Sequence, residues 1–197
     1  MQSIEALSEL IKSRRTCYNF ENKQIAPVTE EMLNLCLEAA IWAPNHKLTE
    51  PWRFWDLTET TQAEFSQLYA QLRADKRAEP GSDNHQTIYQ NAIAKFMTIP
   101  KVVFVGQALA QDAITRKEDY AACACAIQNL QLMAWRMNIG VQWSTGPIIQ
   151  HSQTYQRLGI QPGEVELIGV LFIGQLKGDC STQNGRRKPL CKVRKTI

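Results

Sequence analysis

Apolar side chains recur three and four positions apart over several stretches of the chain, and this spacing predicts amphipathic helices. In the first stretch the apolar side carries Ile4, Leu7, Leu10 and Ile11. Helices are expected at 4–15, 30–43, 61–77, 85–97, 117–138 and 152–158. Small side chains fill the middle of the longest helix, which is therefore expected either inside the core or against a second subunit.

Runs of β-branched and aromatic residues predict four strands. They are expected at 53–57, at 101–106, at 141–147 together with a tight turn, and at 164–174. The strands do not alternate regularly with the helices, as they would in a doubly wound parallel sheet. This order favours an α+β fold.

Capping residues indicate where several helices should begin and end. Thr29 can cap the second helix, and Pro44 ends it because the residue before a proline is disfavoured in a helical conformation. Thr61 and Glu64 have the spacing of a capping box at the start of the third helix. Gly140 is the expected left-handed residue after the longest helix.

The composition is that of an ordinary globular protein, because 44% of the 197 residues are hydrophobic and 21% are charged. This length predicts one domain, residues 1–197, with a sizeable core. No apolar run is long enough to span a bilayer and no secretory signal is evident, so a cytoplasmic protein is expected. The cysteines include no C-x-x-C pair and are expected to be reduced.

Charge is distributed unevenly, although the net charge of the whole chain is only +3. Seven basic residues and one acidic residue fall within 175–197, so this tail carries +6 and the rest of the chain −3. A basic tail can bind nucleic acid or a smaller anion, or it can simply be solvated. The tail lacks the interleaved aromatic residues of single-strand binders, so nucleic acid is not expected as a partner. A membrane is not expected either, because no apolar run is long enough to span one.

The densest group of hydrogen-bond donors follows the first helix, at Arg14, Arg15 and Thr16. A planar guanidinium group can donate two parallel hydrogen bonds, which makes arginine well suited to phosphate. The alternative is a solvated cation pair that complements the helix dipole, and these residues alone favour that alternative. A phosphate site would need further walls from elsewhere in the chain.

Two other polar segments can supply such walls. The loop at 44–51 lies between two prolines and carries His46 and Glu50, and polar groups on a loop between rigid elements often serve binding. The alternative for His46 is an ordinary surface histidine. The turn at 143–145 offers two hydroxyl groups beside Gly146. The sequence contains neither a Walker A loop nor a G-x-G-x-x-G motif after a strand.

Together, the order and spacing of these segments resemble the nitroreductase family of FMN-dependent oxidoreductases, especially its small single-domain members. The resemblance covers about residues 4–190. The segments that carry it are Arg14-Arg15-Thr16, Ala43-Pro44-Asn45-His46 with Pro51-Trp52, the long small-residue helix, Trp143-Ser144-Thr145-Gly146, 168–174 and Arg187-Lys188-Pro189-Leu190. No single segment is specific to the family, whereas their arrangement is.

The resemblance implies where the phosphate end of FMN would bind. Arg14, Arg15 and Thr16 would hold the phosphate and the ribityl chain, and Thr16 would keep the hydroxyl of the serine that is usual in the family. Arg187 would place another cation at the phosphate. On this basis the paired arginines are interpreted as one wall of a cofactor site.

The same resemblance implies a second wall at the flavin ring. Trp143, Ser144 and Thr145 would lie along the ring. His46 and Glu50 occupy the loop that, in relatives, reaches the FMN of the other subunit. The cofactor site is therefore expected to be built from two copies of the chain.

Two departures from the family pattern fall near this second wall. Glu50 replaces a glutamine that is usual in relatives, and a carboxylate cannot donate a hydrogen bond unless it is protonated. Trp42 replaces an arginine, which removes one polar contact and adds an aromatic surface. Acceptor preference and the choice of NADH or NADPH therefore do not follow from the family.

The resemblance implies a central, mostly antiparallel sheet wrapped by helices, in a domain-swapped homodimer with two active sites at the interface. The implied activity is hydride transfer from NADH or NADPH through FMN to nitro compounds, quinones or similar small-molecule acceptors, in a ping-pong cycle. No catalytic side chain and no metal are expected, because the cofactor carries the chemistry. The alternative is a protein that binds or handles flavin without turnover.

Overall fold

The computed structural model describes residues 3–178, 185 and 187–197. The strands are β1 (Trp52–Asp56), β2 (Lys101–Ala108), β3 (Ile139–Ser144) and β4 (Val165–Gln175). The helices are α1 (Ile4–Ser13), α2 (Glu30–Ile41), α3 (Glu59–Asp75), α4 (Asp83–Met97), α5 (Ala113–Arg136) and α6 (Ser152–Arg157). Asp179 and Arg186, which contribute to the charge of the tail, lie outside the described residues.

The four strands form an antiparallel sheet in the order β1-β2-β4-β3. Helices α2 and α5 belong to the apolar cluster on one face of this sheet, and α3 and α4 belong to the cluster on the other. This arrangement confirms the predicted α+β class and the central antiparallel sheet wrapped by helices. Among the described helices, none combines the length and the apolar character needed to cross a membrane.

Strand β2 is buried on both faces, which explains its continuous apolar run. Val103 and Val105 pack in the cluster that contains α2 and α5. Val102 and Phe104 pack in the cluster that contains α3 and α4. Because successive side chains of a strand point to opposite faces, one short segment contributes to both cores and needs no polar alternation.

A β-bulge in β4 interrupts the regular alternation of that strand. Val105 pairs with Gly169 and Gly106 pairs with Leu167, which leaves Ile168 as an extra residue. The carbonyl oxygen of Ile168 accepts a hydrogen bond from the indole Nε1 of Trp143, at 3.2 Å. A Cβ on Gly169 would overlap that indole nitrogen. Glycine at this position therefore leaves the space in which Trp143 reaches the bulge.

The chain that follows α1 runs beside β3. Thr16 forms a parallel bridge with Val141, and the N–H of Cys17 donates to the carbonyl oxygen of Val141 at 3.3 Å. Phe20 forms an antiparallel bridge with Leu176 beyond the end of β4. These backbone contacts fix the donor-rich segment after α1 against the edge of the sheet.

Two helix starts illustrate how far local signals determine a boundary. Thr29 caps α2 as predicted, and its side chain accepts a hydrogen bond from the helix backbone. Helix α3 begins at Glu59, so the predicted start at Thr61 is wrong. The reason is that Thr58 precedes an equally regular helical turn and its hydroxyl accepts the N–H of Thr61.

The boundaries of the longest helix, α5, also differ from those predicted. It begins at Ala113, four residues early, because the carboxylate of Asp112 accepts the first free N–H groups of the helix. It ends at Arg136, and Asn138 takes the left-handed conformation with φ 60°. Gly140 was therefore the wrong residue for that role, since asparagine also tolerates it. Gly140 lies within β3.

Replacing Gly169 with alanine is expected to lower the free energy of unfolding by about 1–3 kcal/mol, because the added methyl group displaces the Trp143 indole. Equilibrium unfolding in urea measures this change. Gly146→Ala is the matched control, since a Cβ there lies 3.7 Å from the nearest atom, Ser144 Oγ. The double variant Gly169→Ala/Trp143→Phe should lose less free energy of unfolding than the sum of the losses in the two single variants. A loss equal to that sum would contradict this packing.

Candidate functional site

The predicted phosphate wall begins where α1 ends. The backbone N–H of Arg14 donates to the carbonyl oxygen of Leu10 and completes the last turn of the helix. The bridge between Thr16 and Val141 then directs the chain along β3. Arg14, Arg15 and Thr16 are all half-buried. A helix end and a sheet edge thus hold the two guanidinium groups and the hydroxyl at one place.

The side chain of Arg14 is only partly satisfied by the protein. Its Nη1 donates to Oε1 of Gln131 in α5 at 2.9 Å, and Gln131 is itself buried. Its Nε is buried and has no hydrogen-bond partner among the described residues. Leaving a buried donor unpaired costs about 1–3 kcal/mol, so this atom indicates a position that a ligand or ordered water completes.

Arg15 and Arg187 come close to Arg14, and we call these three residues the guanidinium cluster. Burial lowers the pKa of the Arg14 guanidinium most, and the positive charges of Arg187 and Arg15 lower it further. Arg15 also donates to the carbonyl oxygen of Lys12 at 2.6 Å. Gly185 packs against Arg15, where a Cβ would lie 2.8 Å from Cζ. The structure thus brings the two distant ends of the chain together.

The chemistry of the guanidinium cluster fits a phosphate group. Three positive charges at one place repel one another, and an anion between them would offset that repulsion. Arg14 forms no ion pair with a carboxylate in the part of the chain that the structure describes. Guanidinium forks match the several acceptor oxygens of a phosphate, and one of those oxygens can accept the unpartnered N–H of Arg14 Nε.

The loop that carries His46 and Glu50 packs against the N-terminal half of α5. Nδ1 of His46 lies 2.8 Å from Oε2 of Glu118. The hydroxyl of Thr49 donates to Oδ1 of the buried Asp119 at 2.7 Å. Both His46 and Glu50 are exposed. The loop is therefore anchored at two points, and it presents the two predicted residues at the surface.

Backbone strain is concentrated in the same loop. Lys47, Leu48 and Glu50 have φ values of 54°, 53° and 44°, a region that residues other than glycine seldom adopt. The side chains of Trp42 and Leu48 leave 84% and 81% of their surface exposed. Strained backbone persists only where the surrounding contacts enforce it, and it is concentrated at functional sites. The anchored loop is therefore a candidate binding element.

Within one chain, this loop and the guanidinium cluster lie near opposite ends of α5. His46 contacts Glu118, whereas Arg14 contacts Gln131, thirteen residues farther along the helix. At a helical rise of about 1.5 Å per residue, the two contact points are about 20 Å apart. His46 and Arg14 of a single chain therefore do not meet at one phosphate group.

The end of β3 carries the remaining predicted residues. Trp143 and Ser144 are consecutive in the strand, so their side chains point to opposite faces of the sheet. The Trp143 indole packs in the cluster that contains α5, and its N–H donates a hydrogen bond to the carbonyl oxygen of Ile168 in the β-bulge. Ser144 lines a cavity on the α3 side. Thr145 is exposed in the turn that follows. The predicted contacts of these residues with a flavin ring stay predictions.

Sequence reasoning missed two features of this region. Gln131 is a polar residue on the buried side of α5, and that exception to the apolar pattern is the signal that could have marked it. Two cavities of about 790 and 220 Å³ lie between α3 and β3 and share Tyr69, Arg73 and Gln142. We call them together the α3–β3 groove. No local signal in the sequence brings α3 and β3 together.

Comparison of the sequence with known proteins identifies relatives. Residues 11–175 match the model of the nitroreductase family. Over 159 residues the chain is 32% identical to YfhC of Bacillus subtilis (strain 168), which is named as a candidate NAD(P)H nitroreductase. That match covers 80% of this chain and 78% of the relative.

Solved structures share the fold. A nitroreductase-like family protein of Bacillus cereus superposes with a TM-score of 0.81 at 26% identity, over 100% of this chain and 98% of the other. A variant of NfnB, described as an FMN- and NADPH-dependent nitroreductase of Sphigopyxis sp. strain HMH, gives a TM-score of 0.73 at 15% identity, over 96% and 97% of the two chains. The latter likeness bears on the fold alone. The family model, the relative in Bacillus subtilis and the fold agree, and the chain belongs to the nitroreductase family.

Proposed function

We propose that this chain is an FMN-dependent oxidoreductase that passes hydride from NADH or NADPH to nitro compounds, quinones or similar small-molecule acceptors in a ping-pong cycle. The observation that carries this proposal is the guanidinium cluster with the buried, unpartnered Nε of Arg14. Membership of the nitroreductase family supports FMN as the phosphate-bearing group. The name of the relative in Bacillus subtilis supports a nicotinamide as the hydride donor.

In this proposal the chain forms one domain, residues 1–197. That domain contacts both the phosphate end and the ring end of FMN. The guanidinium cluster and the Thr16 hydroxyl bind the phosphate and the ribityl chain. Ser144, Thr145 and the backbone of Trp143 lie at the ring, and the Trp143 indole supports the strand from the opposite face. When bound, FMN supplies the two-electron hydride chemistry. Reduction of a nitro to a nitroso group takes one hydride from NAD(P)H and one proton from solvent, and it releases one molecule of water and NAD(P)+.

A homodimer completes the proposed site. Several exposed apolar side chains lie on α1, at the end of α2 and on the strained loop, and all three elements contact α5. They are Ile4, Leu7, Ile11, Ile41, Trp42 and Leu48. A second copy that buries this face would place its own loop, with His46 and Glu50, at the FMN of the first. Because each chain would supply its loop to the FMN of the other chain, the loop and the guanidinium cluster of one chain can lie far apart along α5.

The first test is cofactor loading and anaerobic reduction. The purified protein should carry or take up FMN, and NADH or NADPH should bleach the flavin absorbance in the absence of oxygen. Addition of a nitro compound or a quinone should restore the absorbance. Protein that does not take up FMN would overturn the proposal. Bound FMN that neither nicotinamide bleaches would indicate the alternative, a flavin-binding protein without turnover.

Arg14→Ala should weaken FMN binding by about 2 kcal/mol, or about 30-fold in Kd, because it removes a charge-assisted hydrogen-bond donor. Quenching of flavin fluorescence during titration of flavin-free protein measures this change. Arg157→Ala is the matched control, since Arg157 donates to the carbonyl oxygen of Glu64, away from the cluster. Equal affinity of the Arg14 variant and the control would place the phosphate elsewhere.

Ala121→Arg should dissociate the dimer, because Ala121 lies on the exposed small-residue side of α5 and a long charged side chain would prevent close approach of a second copy. Sedimentation velocity at micromolar concentration measures the association state. Ala63→Arg, at an exposed position within α3, should leave the dimer intact. An Ala121 variant that stays dimeric would show that α5 does not form the interface.

A further inference from the structure

An imidazole and a carboxylate form a pair where the strained loop meets α5. Nδ1 of His46 lies 2.8 Å from Oε2 of Glu118, which is a hydrogen-bond distance. Because an ionised carboxylate can only accept a hydrogen bond, Nδ1 carries the proton of this contact. The second ring nitrogen of His46, Nε2, has no hydrogen-bond partner within the described part of the chain. The pair therefore leaves Nε2 open to a ligand.

This pair has the parts of a general acid. Histidine is the side chain that most often transfers protons in enzymes, because it gains and loses its proton near neutral pH. The contact with Glu118 orients the ring and fixes which nitrogen takes part in proton transfer. The side chain of His46 leaves 58% of its surface exposed, so water can return a proton to Nε2 after it has been given up.

Hydrogen bonds within the loop hold the backbone around His46 in one conformation. The N–H of Glu50 donates to Oδ1 of Asn45 at 3.0 Å, and Nη1 of Arg53 donates to the carbonyl oxygen of Glu50 at 3.0 Å. A general acid is effective only where its proton is held within hydrogen-bond reach of the reacting atom. A loop fixed in this way suits that task better than a mobile one.

The proposed reaction needs a proton as well as a hydride. Reduction of a nitro to a nitroso group takes up two electrons and one hydrogen as hydride and a second hydrogen as a proton. One N–O bond breaks, and the oxygen leaves as water. In the proposed homodimer the loop of one chain lies at the site of the other, where the acceptor is reduced. Glu50 shares this loop, but a carboxylate cannot donate unless it is protonated.

We propose that His46 is the general acid in the reduction of nitro compounds, and that its Nε2 gives a proton to a nitro oxygen at the site of the other subunit. Glu118 is the positioning residue of the pair. The inference rests on the proposed function, which supplies the hydride and the shared site. Water returns the proton to Nε2, so the net proton comes from solvent. The inference adds a catalytic side chain to a reaction for which the sequence predicts none.

The test compares an acceptor that takes up a proton with one that does not. FMN-loaded protein is titrated to full reduction with dithionite without oxygen and then mixed with nitrobenzene or with ferricyanide, which takes up only electrons. The return of flavin absorbance is followed by stopped flow. His46→Gln keeps a hydrogen-bond donor that cannot transfer its proton. It should slow reoxidation by nitrobenzene about 100-fold and change reoxidation by ferricyanide less than about twofold.

Two further variants define the role of the pair. Glu118→Gln should slow reoxidation by nitrobenzene about tenfold and leave ferricyanide unchanged, because an amide can also donate to Nδ1 of His46 and so permits the other tautomer. His151→Gln is the matched control and should change neither reaction. It makes the same substitution at a histidine whose Nδ1 accepts the N–H of Gln153 and which has no carboxylate partner among the described residues.

The tautomer of His46 gives a readout that does not depend on turnover. Nitrogen–proton correlation NMR of the protein as purified should show the neutral ring with its proton on Nδ1. In Glu118→Gln a larger share of the proton should lie on Nε2. The spectrum of His46→Gln identifies the signal, because the chain has only three histidines.

Three results would overturn the inference. Equal slowing with both acceptors in His46→Gln would show that the loop only holds the flavin. Unchanged reoxidation by nitrobenzene would show that water supplies the proton directly. A neutral His46 ring with its proton on Nε2 would contradict the pair itself. If neither nicotinamide reduces the flavin, the proposed function fails, and the dithionite-reduced protein still decides the role of His46. Protein that takes up no FMN would overturn both.

Discussion

The hydrogen bond between the Arg14 guanidinium and the buried amide oxygen of Gln131 is the contact on which the candidate site depends. It joins the end of α1 to α5, and the bridge from Thr16 to Val141 ties the same segment to the sheet. Immobilising an arginine side chain costs up to about 2 kcal/mol of conformational entropy. Here that cost falls on folding rather than on binding, so the unpaired Nε is already in place for the phosphate that the proposed function puts there.

Helix α5 imposes a second constraint, because one rigid element positions both walls of the predicted cofactor site. Its residue Gln131 orients Arg14, whereas Glu118 and Asp119 anchor the strained loop about 20 Å away. A straight helix cannot bring these contact points together within one chain. A second copy can, if it lies antiparallel along α5, because that arrangement sets the loop of one chain opposite the arginine of the other. The exposed apolar side chains around α5 favour such a partner.

The sequence predicted what depends on local chemistry and missed what depends on the approach of distant segments. The cap at Thr29 and the donors after α1 could be identified because their signals lie within a few residues. Asn138 and Gly140 are both suited to a helix end, so composition could not choose between them. The contact of Gly185 with Arg15 joins residues from opposite ends of the chain, and only the folded structure reveals it. The implied role of Arg187 gave the single indication that the tail returns to the first helix.

Consecutive side chains of β3 point to opposite faces of the sheet, so residues that pack in the core alternate with residues that line the groove. Val141 and Trp143 point toward the face with α5, where they pack in the core. The Trp143 indole also donates a hydrogen bond to the carbonyl oxygen of Ile168 in the bulge of β4. Gln142 and Ser144 point toward α3 and line the groove. A rise of about 3.3 Å per residue puts Ser144 about 10 Å from the bridge that fixes Thr16 at Val141. The strand therefore fixes the distance between the cationic segment at Thr16 and the groove at Ser144. A register shift of one residue would exchange the two faces and destroy both.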